Sequence, residues 1–171
     1  MLDLSEYDRS VVTANAKVKS AIMPLLSWDL YSVYFRNLKG NHADFAQLEQ
    51  MAALYKWNLS LNLLDELQNN DAIIVTNIAL EIEFASEGIA AMTGYQPLEV
   101  VGKSPKLFQG KATSDEKRAA ISLAIASHKP FETTLINYKK TGEPYDCHIR
   151  SFPIFNKKGQ LSHFIALEKA A

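Results

Sequence analysis

The stretch "INYKKTGEPYDCHIRSFPIFNKKGQLSHFIALEK", residues 136–169, decides the fold. Apolar and polar side chains alternate through much of it with a period of two, the mark of strands that bury one face. Two interruptions, Lys140-Thr141-Gly142 and Asn156-Lys157-Lys158-Gly159, supply residues that hairpin turns need. With FETTLINY in front, three long strands follow one another: FETTLINY, EPYDCHIRSFPIF and QLSHFIALEK. Strands joined this way make an antiparallel meander, and its apolar face needs a cover.

The rest of the sheet and its cover lie upstream. AIIVT (72–76) reads as a short apolar strand, and Leu80, Ile82 and Phe84 alternate with Glu81 and Glu83 as a half-buried one. EGIAAMTGY predicts a short helix closed by Gly94. Thr113, with Glu116 three residues on, predicts a capping box that opens a helix over TSDEKRAAISLAIASH, and Pro130 closes it. The order is strand, strand, helices, strand, strand, strand.

Before residue 71 the period is helical. Trp28, Tyr31, Phe35 and Leu38 form one stripe, and Leu26, Leu30 and Val33 form a second beside it. A helix apolar on two sides has two partners, and one is read as a second copy of the chain. Val11 to Met23 predicts a weaker helix ended or kinked by Pro24. Phe45, Leu48, Ala52 and Tyr55 mark a further helix, and SLNLLDEL another, with Ser60 as its N-cap and Leu64 and Leu67 on one side. The expected division is a helical region over 1–68, for dimerisation and coupling, and an α+β domain over 69–171.

Composition narrows the function. Of 171 residues, 47% are hydrophobic and 22% charged, which suits a packed core. A net charge of −1 offers no basic face for nucleic acid. One cysteine permits no intramolecular disulfide and fits a reducing compartment. The most apolar run, AIMPLLSWDLYSVYF, is broken by Pro24 and Asp29, so no membrane span is expected, and the acidic N-terminus does not resemble a signal peptide. The expected location is the cytoplasm. No nucleophile-base-acid set and no phosphate-cradling glycine pattern stands out, so no enzymatic activity is expected. His42, His128, His148 and His163 show no metal-ligand spacing, and His128 and His163 read as surface residues.

"MTGYQPLEVVGKSPKLFQG" (92–110) and the three closing strands resemble the PAS domain family, with Thr93-Gly94-Tyr95, Gly102, Gln109-Gly110, Asn137-Tyr138 and Gly142 where that family has them. The likeness covers residues 69–169 and lies nearest the flavin-binding, light-sensing LOV branch. It implies a five-stranded antiparallel sheet with helices on one face, often around a ligand, in a sensory module that signals through flanking helices and commonly dimerises.

The LOV resemblance also implies a site, and this sequence departs from it. The cysteine that adds to the excited flavin is matched by Pro105, which has no thiol. The neighbouring flavin-contacting asparagine is matched by Ser104, and one phosphate-binding arginine by Lys106, which lacks the planar fork. A second phosphate arginine is matched by Ser122. Asn137 and Gln109 are retained, while a partner asparagine is matched by Cys147 and a ring-reading glutamine by Glu168. An ionised glutamate only accepts hydrogen bonds and would repel a carbonyl edge unless its pKa were raised.

Each candidate also has a plainer reading. Asn137, on the face of Phe131, Thr133 and Leu135, bonds to backbone or water; Cys147 is a small core residue beside Tyr145 and Ile149; Glu168 ends a strand in solvent. Lys106 and Gln109 hold their loop, and Ser122 is helix surface. The cofactor stays open, FMN or another flavin being the alternative reading. Because the chain closes at Ala171 after the last strand, the expectation is a sensory or signalling protein without an effector domain. It acts on a downstream partner by ligand-dependent or constitutive protein contacts, as a homodimer through its N-terminal helices and the sheet. An interaction scaffold with a filled core is the further alternative.

Overall fold

The computed structural model describes residues 42–59 and 62–171. The predicted stripe from Trp28 to Leu38, the helix over Val11 to Met23 and the Ser60 cap fall outside the described residues, as does the side chain of Leu64. The alternating segments form one antiparallel sheet of five strands: β1 (Ala72–Asn77), β2 (Ile82–Ala85), β3 (Phe131–Tyr138), β4 (Pro144–Phe155) and β5 (Leu161–Ala170). Their spatial order is β2-β1-β5-β4-β3. The meander therefore returns its last strand to the middle, where β5 pairs with β4 on one side and β1 on the other. Glu168 stands opposite Ala72 in β1 and Ile149 in β4, while Asn137 stands opposite Tyr145.

Between β2 and β3 the chain crosses one face of the sheet through short helices. The described helices are α1 (42–54), α2 (Leu63–Asn69), α3 (Gly88–Thr93), α4 (Pro97–Val100) and α5 (Asp115–Ala126), with a 3-10 turn at Pro105–Phe108. Gly94 ends α3 at φ 78°, a left-handed conformation that costs glycine little. Two local expectations change. Ser114, not Thr113, caps α5, accepting from Lys117 N. Thr113 instead accepts from Gly110 N at 2.9 Å and donates to Ile136 O at 2.6 Å, which ties the loop to β3. Leu80 is not in β2; it sits in the turn before it at φ 62°.

The core has two layers. On the crossed face, Ile74, Ile82, Ile89, Met92, Val100 and Phe108 pack together. On the opposite face, Ile73, Val75, Ile165, Leu167 and Ile154 pack against Leu48 of α1, Trp57 and Leu67 of α2. Burying a side chain such as Leu48 in full stabilises by about 1.5–3 kcal/mol, so α1 is held by its apolar stripe. Asp44 fixes its start, accepting from Glu87 N at 2.9 Å, and burial pushes that carboxyl up to about 6. Among the described residues, no helix is long and apolar enough to cross a membrane.

Candidate ligand-binding cavity

A cavity of about 610 Å³ lies between the crossed face of the sheet, the 3-10 turn and α5. Its floor is apolar, with Ile74, Leu135, Ile149 and Ala166 rising from four strands. Its lid is α5, whose Ile121 and Ile125 lie one turn apart. None of the twelve residues of α5 is fully buried, because its inward stripe meets this cavity instead of packed side chains. Apolar surface left in that position gains from any apolar body placed against it.

One end of the cavity is polar. Asn137 is 3% exposed and lines it, yet its Oδ1 has no hydrogen-bond partner among the described residues. No backbone group takes up the position expected for one. A buried amide oxygen left this way costs about 1–3 kcal/mol. Tyr145 Oη, beside Asn137, Cys147 and Glu168, is likewise buried and makes no well-formed hydrogen bond among the described residues. Glu168 overturns the reading of a solvated strand end: β5 runs two residues past it, and the side chain is 4% exposed. Cys147 Sγ lies 3.6 Å from its Oε2 as donor. Desolvation holds the Glu168 carboxyl up to about 7, and the nearby thiol pulls weakly the other way. The Cys147 thiol is pushed up as well, first by burial and then by Glu168.

The loop after α4 builds the opposite wall. It is pinned to β2 by Gly102 N donating to Ile82 O at 2.8 Å and Ile82 N donating to Lys103 O at 2.9 Å. Ser104 caps the 3-10 turn by accepting from Lys106 N. Gly110 follows where a Cβ would sit 2.5 Å from the Tyr138 ring, so the close approach of loop and β3 requires glycine there. Ser104, Pro105, Lys106 and Gln109 all line the cavity. Of the six candidate residues, Asn137, Gln109, Glu168, Lys106 and Ser104 therefore share one cavity, while Cys147 sits buried behind Glu168.

Sequence reasoning missed Arg118. It lines the cavity one helical turn before Ser122, which also lines it, and pairs with Asp115. The signal was available in the 3.6-residue repeat: positions 118 and 122 share a helix face, so either can present a guanidinium to the same space.

A second polar cluster lies on the other face of the sheet. His163, expected at the surface, is 3% exposed. Trp57 Nε1 donates to its Nδ1 at 3.1 Å, so Nε2 carries the proton that Glu83 Oε2 accepts at 3.1 Å. Tyr55 Oη donates to the same Glu83 oxygen at 3.1 Å. Arg150 on β4 adds a pair with Glu66 of α2 at 2.8 Å. These bonds fasten α2 and the segment that follows α1 to the sheet.

A family model described as PAS domain matches residues 70–169. A blue-light-activated histidine kinase of Brucella ovis is 36% identical over 97 residues, which are 55% of this chain and 20% of that protein. Protein TWIN LOV 1 of Arabidopsis thaliana is 36% identical over 107 residues, 61% of this chain and 27% of that protein. The chain thus spans well under half the length of these curated relatives. The light-state structure of the photoreceptor Aureochrome1 LOV superposes with a TM-score of 0.58 at 21% identity, over 66% of this chain and 89% of that one. A LOV domain from a blue-light-activated histidine kinase of Erythrobacter litoralis superposes with a TM-score of 0.55 at 22% identity, over 58% of this chain and 94% of that one. These two superpositions speak to the fold.

Proposed function

The chain belongs to the PAS domain family through residues 70–169, and from that premise we propose that it is a sensory domain holding a planar, flavin-type heterocycle in its cavity. One observation carries the reading: a cavity of about 610 Å³ that ends on the partnerless amide oxygen of Asn137. Small-molecule sites run from about 300 to 1,000 Å³ and combine apolar walls with a few convergent polar groups. A scaffold with a filled core has no use for that volume.

The residues fit the group. Asn137, Glu168 and Gln109 would hold its polar edge, and Ile74, Leu135 and Ile149 its ring faces. Lys106 and Arg118 line the same cavity and would meet an anionic tail. Glu168 fits a carbonyl edge, since a carboxyl held up to about 7 retains a proton to donate near neutrality. Bound flavin supplies visible absorption and reversible electron uptake. Pro105 puts no sulfur where the LOV branch has its reactive cysteine, so the response runs without that thiol addition.

The domain acts by contact, without enzymatic turnover, in the cytoplasm. Its output route is the outer sheet face, where α1, Trp57 and α2 are fastened next to the strands that floor the cavity. The chain acts as a homodimer and presents that face to a downstream signalling protein. Blue light, named for the Brucella relative, is the stimulus class to try first. Equilibrium dialysis against FMN tests the ligand: saturable binding is expected, weakened at least tenfold in Asn137→Leu. No saturation by FMN defeats the reading. Light scattering tests the dimer, which a monomer at every concentration excludes.

A further inference from the structure

The polar end of the cavity is built around a carboxyl that pairs with no cation among the described residues. Among the described residues, Glu168 makes no salt bridge, and Cys147 is the only side chain bonded to it. The thiol donates to Oε2, so Oε1 is the atom left for a ligand. The groups packed around Glu168 leave it in that state. From β4 come Cys147 and Tyr145, both held protonated by burial. From β3 comes the uncharged Asn137. The residues of β1 on this face, Ala72, Ile74 and Thr76, carry no titratable group. Asp71, just before β1, bonds the strand backbone, its Oδ2 accepting from Ala170 N. Lys169 is exposed. Lys106 and Arg118 also border the cavity, and Arg118 is engaged by Asp115.

We propose that Glu168 reads the ligand in its protonated form, donating from Oε1 to a ligand carbonyl while Asn137 Oδ1 accepts a ligand N–H, and that the ligand is released as this carboxyl ionises. The site so defined selects heterocycles with adjoining N–H and C=O groups, an imide or lactam edge. An ionised Glu168 turns its one donor into an acceptor, and two acceptors then face each other across a dry contact. This inference rests on the flavin-type reading and adds a pH gate to it.

Riboflavin is the suitable probe because it has the imide edge and no phosphate to titrate. Binding to the full chain is measured by fluorescence between pH 6 and pH 9. With the carboxyl at about 7, linkage makes the wild-type affinity fall about tenfold per pH unit above that point, roughly a hundredfold across the range. Glu168→Gln keeps a donor at every pH and holds the affinity within about twofold. In the infrared difference between ligand-free wild type and Glu168→Gln, where the Asp44 contribution cancels, a carboxylic-acid band present at pH 6 and lost by pH 9 reports the same proton without ligand. Flat wild-type binding, equal pH slopes in the two proteins, or no such band overturns the gate alone. No riboflavin binding at any pH overturns the flavin-type reading and the gate with it.

Discussion

Replacing Glu168 by glutamine should stabilise the ligand-free protein, and only above a definite pH. Burial holds the carboxyl at about 7 against an ordinary 4.5. The sign follows from where each state keeps its proton. Below pH 4.5 folded and unfolded chains both hold it, and nothing is lost. Between 4.5 and 7 the unfolded chain ionises while the folded chain does not, so stability falls as pH rises, and above 7 the loss is complete. At roughly 1.4 kcal/mol per pH unit, the full loss is about 3 kcal/mol. Glutamine has nearly the same shape, can accept from Cys147, and cannot ionise. Glu168→Gln should therefore match the wild type within about 1 kcal/mol at pH 5 and exceed it by about 3 kcal/mol at pH 8. In a chain of this size that is roughly 10 °C in Tm. Asp44, held up to about 6 mainly by burial, tilts both proteins in the same sense, so the difference between them isolates Glu168. Urea unfolding of both proteins at five pH values is the assay. Parallel stability curves from pH 5 to pH 8 would refute the reasoning, because they would mean the carboxyl ionises freely in the fold.

Other parts of the structure make equally direct predictions. Trp57→Phe shrinks the indole to a phenyl ring in the core and removes one of two donors at buried His163 Nδ1, Ser162 Oγ at 2.7 Å being the other. It should cost about 1–3 kcal/mol in urea unfolding, mainly through lost packing, and a loss below a few tenths would mean that Trp57 does not hold this face. Cys147 is fully buried with its thiol pushed up, so a thiol reagent should label it only at the rate of opening, and fully in urea. Labelling of the native protein as fast as a free thiol would contradict its place behind Glu168.

Several of these features were readable from the chain. Period-two alternation places the three closing strands, and Gly94 closes its helix where a left-handed residue is needed. The inward face of Asn137 follows from counting by twos from Phe131. Other features depend on tertiary context that no local pattern carries. Glu168 reads as a frayed strand end until β5 is seen between β1 and β4, where both neighbours strip it of water. Thr113 and Ser114 are adjacent hydroxyls, and either can cap a helix. The choice falls to Ser114 because Thr113 finds the carbonyl of Ile136 across the loop. His163 becomes interior only because Trp57, 106 residues earlier, covers it. Leu80 obeys the alternation of a strand and still leaves it, since the turn before β2 takes a left-handed backbone at that residue.

The central claim is that the cavity above the sheet takes up a flavin-type heterocycle and does so without a sulfur bond. The visible spectrum of freshly purified full-length chain, before and after blue illumination, with mass spectrometry of whatever is released on denaturation, tests it most directly. The account predicts a flavin absorption band, a released mass equal to free flavin, and no bleaching through attachment to protein. A colourless protein that gains no band after incubation with FMN, or a flavin found covalently attached to Cys147 after illumination, would contradict it.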